Sequence, residues 1–169
     1  MSAWSEMKVA GLLILAFLPI PALAYDINGI KLGGNELEVV KAMPSARCKA
    51  LEWKSDAAER RCDDARVSVG GVEMRVTVYL KANVIQAYDL RFDIKNLERV
   101  KSHLKSRWGV PLAEATEVIG QSDKKERKVF KMRWEKGAER AIVTAQLEKK
   151  RADLEVSRGN FPVEIYRVR

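Results

Sequence analysis

What this chain lacks narrows its chemistry. Its 169 residues include one histidine, His103, and two cysteines, Cys48 and Cys62. No cluster has zinc or calcium ligand spacing. There is no P-loop, no Gly-x-Ser-x-Gly and no dinucleotide fingerprint. The cysteines are too far apart for a C-x-x-C pair. His103 falls mid-helix between Lys101 and Lys105 and reads as a solvated helix residue. A general base needs an orienting partner and a pocket, and the sequence indicates neither. Asp63 and Asp64 are adjacent, so on a strand they point to opposite faces. Asp89 and Asp93 are similarly dispersed. The expectation is therefore no enzyme, with no catalytic, metal or cofactor-binding residue. Acid is also in deficit, with 23 Asp and Glu against 31 Lys and Arg, a net charge of +8 and a pI near 9.6.

The first 24 residues carry an address. Lys8 precedes the apolar run from Val9 to Leu18, which Pro19 and Pro21 break before Ala22-Leu23-Ala24. The run is short for a bilayer span and ends in a small-x-small pattern. Residues 1–24 are expected to be a signal peptide cleaved after Ala24; the alternative is an uncleaved anchor. No cysteine follows the run, which argues against a lipoprotein. The mature chain, 25–169, then works in the periplasm or outside the cell. In that oxidising setting Cys48 and Cys62 read as a structural disulfide, against a metal or redox pair as the rival. Closing a loop of this size is worth about 3 kcal/mol in the chain-entropy model.

Along the mature chain, Asn35 can cap a helix with Glu38 three positions on, and Leu37, Val40 and Met43 give it an apolar side. Pro44 stops it. Arg47–Trp53 and Glu59–Val69 are expected strands that place the cysteines on facing arms of a hairpin. After Gly70-Gly71, Val72, Met74, Val76, Val78 and Leu80 alternate strictly with polar residues, the period of a half-buried strand. Val84–Phe92 returns with Tyr88, Leu90 and Phe92 on one face. Asn96 can cap a second helix with Leu97, Val100, Leu104 and Trp108 on one side, ended by Gly109 and Pro111. Strands follow at Ala113–Gly120, Lys128–Glu135, Ala141–Leu147 and around Leu154-Val156, with a polar turn at Gln121–Lys124. The tail from Ser157 reads as irregular, with a short edge strand possible over Val163–Val168.

This gives the order helix then four strands, twice. The expected fold class is α+β: two helix-plus-four-strand repeats, helices on one face of an antiparallel sheet. The domain is single, with halves near 25–93 and 94–169. The sheet's other face stays in water or meets a partner.

Gly29-Ile30-Lys31-Leu32-Gly33, leading into Glu36-Leu37-Glu38-Val39 and Pro44, resembles the opening of the SmpA/OmlA small outer-membrane assembly lipoproteins. The doubled order and the early cysteine pair resemble the tandem αβ4-repeat β-lactamase-inhibitor-protein-like fold. These resemblances imply a secreted or periplasmic protein that binds macromolecules across an open sheet and has no catalytic centre. Two departures stand against a specific role. Tyr25 occupies the place of the lipidated cysteine, and the second half lacks the inhibitors' second disulfide. The motif carries over no functional residue.

Candidate binding residues lie on the polar side of the strands: Arg75, Tyr79, Arg91, Lys131 and Arg133, with Arg140 beyond them. Tyrosine with arginine is a pairing favoured at binding hot spots; an ordinary solvated face is the competing account. Trp53 and Trp108 read as core or rim. The leading functional expectation is a small secreted or periplasmic accessory protein that recognises a macromolecular partner through this face. The alternative is a charge-driven binder of anionic envelope components, lipopolysaccharide or anionic lipid. Charge scattered along the chain argues against nucleic acid.

Overall fold

A computed structural model describes residues 25–120 and 126–167. The expected signal peptide and the Gln121–Lys124 turn lie outside the described residues.

The chain opens with a two-stranded ribbon, β1 (Asp26–Ile27) and β2 (Ile30–Lys31). Its turn is Asn28-Gly29, both at positive φ (52° and 86°). Such a turn matches the strand twist and favours this residue pair. A seven-residue helix, α1 (Glu36–Ala42), follows, and Asn35 Oδ1 accepts from Glu38 N at 3.1 Å as the capping pattern requires. Next come β3 (Arg47–Ala50), β4 (Arg60–Val69), β5 (Val72–Lys81) and β6 (Val84–Asp93). A 3-10 turn (Ile94–Asn96) leads into α2 (Leu97–Trp108). Then come β7 (Ala113–Ile119), β8 (Arg127–Lys136), β9 (Glu139–Gln146) and β10 (Arg151–Arg158). A last helical turn, α3 (Phe161–Glu164), closes the described chain.

Eight strands form one antiparallel sheet in the order β3-β4-β5-β6-β10-β9-β8-β7. This corrects the α+β expectation of two helix-plus-four-strand repeats. The described residues are mostly β, built on a two-stranded and an eight-stranded sheet with three short helices. The physical reasons are local. The Asn28-Gly29 turn makes a ribbon of what reads as a lead-in to a helix. Pro44 limits α1 to two turns against three in α2. The tail folds into a helical turn where a fifth strand seemed possible.

The core lies on one sheet face. Val39 of α1, its C-cap Met43, and Leu97, Val100 and Leu104 of α2 pack there against Val76, Leu90, Met132 and Trp134. The ribbon is sealed onto β6 by Gly33 N donating to Ile85 O at 2.9 Å and Ile85 N to Gly34 O at 2.8 Å. Tyr88 donates its hydroxyl to the Tyr25 carbonyl. Tyr25, Trp108 and Trp134 form an edge-to-face series at centroid distances of 5.1 and 5.4 Å, which places Trp108 in the core. The expected apolar side of α1 is only partly used. Leu37 is 79% exposed, and the buried pair is Val39 with Met43, one turn apart. Cys48 and Cys62 stand directly opposite across β3 and β4 and are bonded. None of the described helices is long and apolar enough to cross a membrane.

Candidate functional site

The sheet's outer face, away from α1 and α2, is covered at one end. Gly159 turns the chain back after β10 at φ +58°. Pro162 suits the first turn of a helix, where its missing N–H costs nothing. That turn sets Phe161 on Tyr79 at a centroid distance of 5.3 Å. The 51–58 loop meets it from the other side. Trp53 Nε1 donates to Ile165 O at 2.8 Å, Ser55 Oγ to Glu164 O at 3.2 Å, and Trp53 stacks on Tyr166. Arg61 lies over the Trp53 ring at 5.8 Å. Together these segments form a strap over a second apolar cluster of Ala57, Ala58, Tyr79, Ala87, Phe161 and Ile165.

Tyr79 is therefore only 6% exposed, and the expectation that it offers an aromatic contact to a partner is corrected. Sequence alternation puts it on the outer face; the tail that covers it lies 82 residues later in the chain, at Phe161. The other four candidates are exposed, yet three are engaged. Arg91 pairs with Asp153 at 2.7 Å, Lys131 with Glu117 at 2.9 Å and Arg133 with Glu135 at 3.5 Å. Exposed pairs of this kind contribute about 0–1 kcal/mol, but they cancel field. Arg75 faces Arg91 directly across β5 and β6, and no carboxylate among the described residues pairs with it. Arg75, Arg91, Asp153, Thr144 and Lys131 lie in one cross-strand row, whereas Arg133 and Arg140 fall in the next two rows.

An acidic seam separates the strap from that row. Glu155 on β10 stands directly opposite Asp89 on β6, which faces Thr77 on β5; Thr77 in turn donates to Asp63 at 2.8 Å. Burial holds the Asp89 carboxyl up to about 7, and Glu155 and Asp153 add to that. Arg91 and a hydrogen bond from Tyr79 oppose the shift. Burial also raises Glu155, against a Ser157 hydrogen bond of 3.0 Å and the charge of Arg140. Asp89 looks isolated in the sequence because its neighbour, Glu155, is 66 residues away on a non-consecutive strand. The available clue was alternation in the last strand, where Asp153 and Glu155 oppose Leu154 and Val156.

Beyond the seam the outer face opens into a cleft of about 270 Å³ lined by Arg91, Thr144, Gln146, Lys149, Arg151 and Asp153. Lys149 and Arg151 read in the sequence only as a basic turn. Here they stand beside Arg91 with one carboxylate, Asp153, among them. The cleft offers cationic donors with a hydroxyl and an amide, a set suited to carboxylate or phosphate oxygens.

The remaining residues carry less chemistry. His103 is half-buried, correcting the solvated expectation. It packs so closely on Gly70 that a Cβ there would meet its ring at 2.6 Å. Burial and Arg107 lower its pKa. Asp64 points inward, opposite to Asp63, and accepts from Ser45 Oγ at 2.6 Å. Glu36, Cys48 and Cys62 come close enough to suggest metal ligands. The two sulfurs are bonded to each other, and Glu36 is held by Arg60 at 2.8 and 3.0 Å. Those atoms are not free donors. A cleft of about 450 Å³ beside the strap, between Trp53 and Arg167, carries charges of both signs.

The chain matches no family model, no curated protein and no solved structure. The resemblances noted above thus remain likenesses of an opening motif and a cysteine placement, and the doubled order behind the second is corrected.

Proposed function

We propose that this is a secreted or periplasmic accessory protein that acts by binding, without catalysis, and that it recognises an acidic macromolecular partner through the open end of its outer sheet face. The Cys48–Cys62 disulfide supports an oxidising compartment. The observation that carries the reading is the placement of Arg75 directly opposite Arg91, beside Lys149 and Arg151. Like charges face to face across a sheet are destabilising in isolation. An anionic group spanning them turns that cost into attraction. Asp153 neutralises only Arg91, so the row remains positive. With Tyr79 withdrawn under the strap, the contact is polar and salt-sensitive, which favours fast encounter over tight anchoring.

The test is binding of a labelled polyglutamate peptide. Arg75→Glu with Arg91→Glu should weaken it about tenfold or more, and the charge-matched pair Lys31→Glu with Lys41→Glu, on β2 and α1, should change it little. Equal effects at both places would mean that only net charge is sensed. Vesicles containing anionic lipid form the second arm. Binding to them that is insensitive to Arg75 and Arg91 would favour the charge-driven alternative, adsorption to envelope lipid or lipopolysaccharide.

A further inference from the structure

The eight-stranded sheet ends at β7, and that edge is unprotected. All seven residues from Ala113 to Ile119 are exposed, and among the described residues β7 pairs with β8 alone. An unpaired edge presents a row of backbone donors and acceptors, which proteins blunt with proline, lysine, bulges or a covering element. β7 contains neither proline nor lysine. Its register with β8 runs unbroken from Ala113↔Arg133 to Ile119↔Arg127, so no bulge turns it aside. Val118 and Ile119 are 57% and 53% exposed, and Leu112 just before the strand is 63% exposed.

We propose that β7 pairs antiparallel with β7 of a second copy of this chain, about a two-fold axis through Thr116, joining two sheets into one of sixteen strands. The strand's charges favour that occupant. Both of its acids are already neutralised within the chain: Glu114 by Lys105 at 2.6 Å and Lys101 at 3.1 Å, Glu117 by Lys131 at 2.9 Å. A two-fold through Thr116 sets Glu114 against Val118, Glu117 against Ala115 and Ala113 against Ile119. No acid then meets an acid, and Thr116 meets Thr116, a favourable cross-strand pair. On the outer face Glu117 lies across Ala115 from the second copy's Lys131, its partner type at home. This register alone pairs all seven residues. A slip of one sets Glu114 against Glu117 and turns the two core faces to opposite sides, which is how side-chain pattern specifies register. The interface is one strand wide, below the size of stable complexes, so the dimer is reversible and concentration-dependent.

Sedimentation of the isolated protein over a range of concentrations should show its mass rise towards twice the monomer value. Val118→Lys should hold it at the monomer mass while its thermal unfolding stays unchanged, because the side chain is already exposed. Under mild oxidation Thr116→Cys should give a cross-linked dimer, since the two-fold sets these positions face to face, while Ser106→Cys on α2 should not. A monomer mass at every concentration overturns the proposal, as does equal cross-linking at Ser106 and Thr116. Uptake of an extended foreign peptide along β7 by a protein that stays monomeric also overturns it, and assigns the edge to another chain.

Discussion

The two ends of the eight-stranded sheet are finished in opposite ways. At the β3 end the edge strand is four residues long, carries Arg47 and Lys49, and is bonded to its neighbour through Cys48 and Cys62. The loop that follows it carries Trp53 and Ser55, which fasten the strap over Tyr79 and Ala87 on β5 and β6. At the β7 end the edge is seven residues long, wholly exposed and without a cross-link. One edge is held short and cross-linked against further strands; the other leaves its backbone available. The difference teaches that binding capacity in this fold follows where the sheet is left unfinished.

Both ends hang on one core, so the strongest way to break the comparison is to damage what they share. Leu104→Ala, at a fully buried position, should cost about 2–5 kcal/mol in chemical denaturation and loosen β3 and β7 alike in hydrogen exchange. Loss of protection at one end only would show two independent cores. Removing the disulfide with Cys48→Ala and Cys62→Ala should cost about 3 kcal/mol and bring the exchange of β3 amides up to that of β7. A β3 that stays protected would mean that the strap, and not the bond, closes that end.

The acidic seam between the strap and the basic row should respond to pH. The Asp89 carboxyl sits at about 7 in the fold, above its unfolded value near 4, so the folded state holds the proton longer. Its contribution is full at low pH and is lost as pH rises towards and through 7. Between pH 5 and 8 this should remove about 2–3 kcal/mol, and Asp89→Asn should flatten that dependence. An unchanged slope in the variant would place the titrating group elsewhere. The smallest effect is expected at the open edge. Thr116→Val should shift stability by less than about 0.5 kcal/mol, as exposed positions do.

Legibility in the sequence followed the range of the interaction. The strict alternation from Val72 to Leu80, and Tyr88, Leu90 and Phe92 at every second position, mark β5 and β6 because pleat and burial repeat every two residues. Leu97, Val100 and Leu104 mark the buried side of α2 for the same local reason. Capping was half legible. Asn35 caps α1, but Asn96 makes no side-chain cap, because the chain first enters a 3-10 turn that Asp93 caps through Lys95 N at 3.0 Å. What could not be read was pairing between distant segments. Arg91 looks like a free cation until β10 brings Asp153 beside it, and Tyr79 looks exposed until Phe161 arrives. The apolar side of α1 differs from its spacing because the short helix buries Val39 and its C-cap Met43 while Leu37 and Val40 face water.

The place of β10, inserted between β6 and β9, sets the order in which the fold can be completed. A chain emerging from its N-terminus can zip β3 through β6 early, since these strands are consecutive hairpins. β6 then waits as a bare ten-residue edge, with Ala87 and Leu90 unsheltered, until the residues from 151 onward are delivered. Contacts that span so much chain form slowly. The segment Phe161 to Ile165 then latches over Tyr79 and closes an apolar surface left open until that point. These late-arriving residues act as the catch, and a chain cut short of them leaves Tyr79 and Ala87 uncovered.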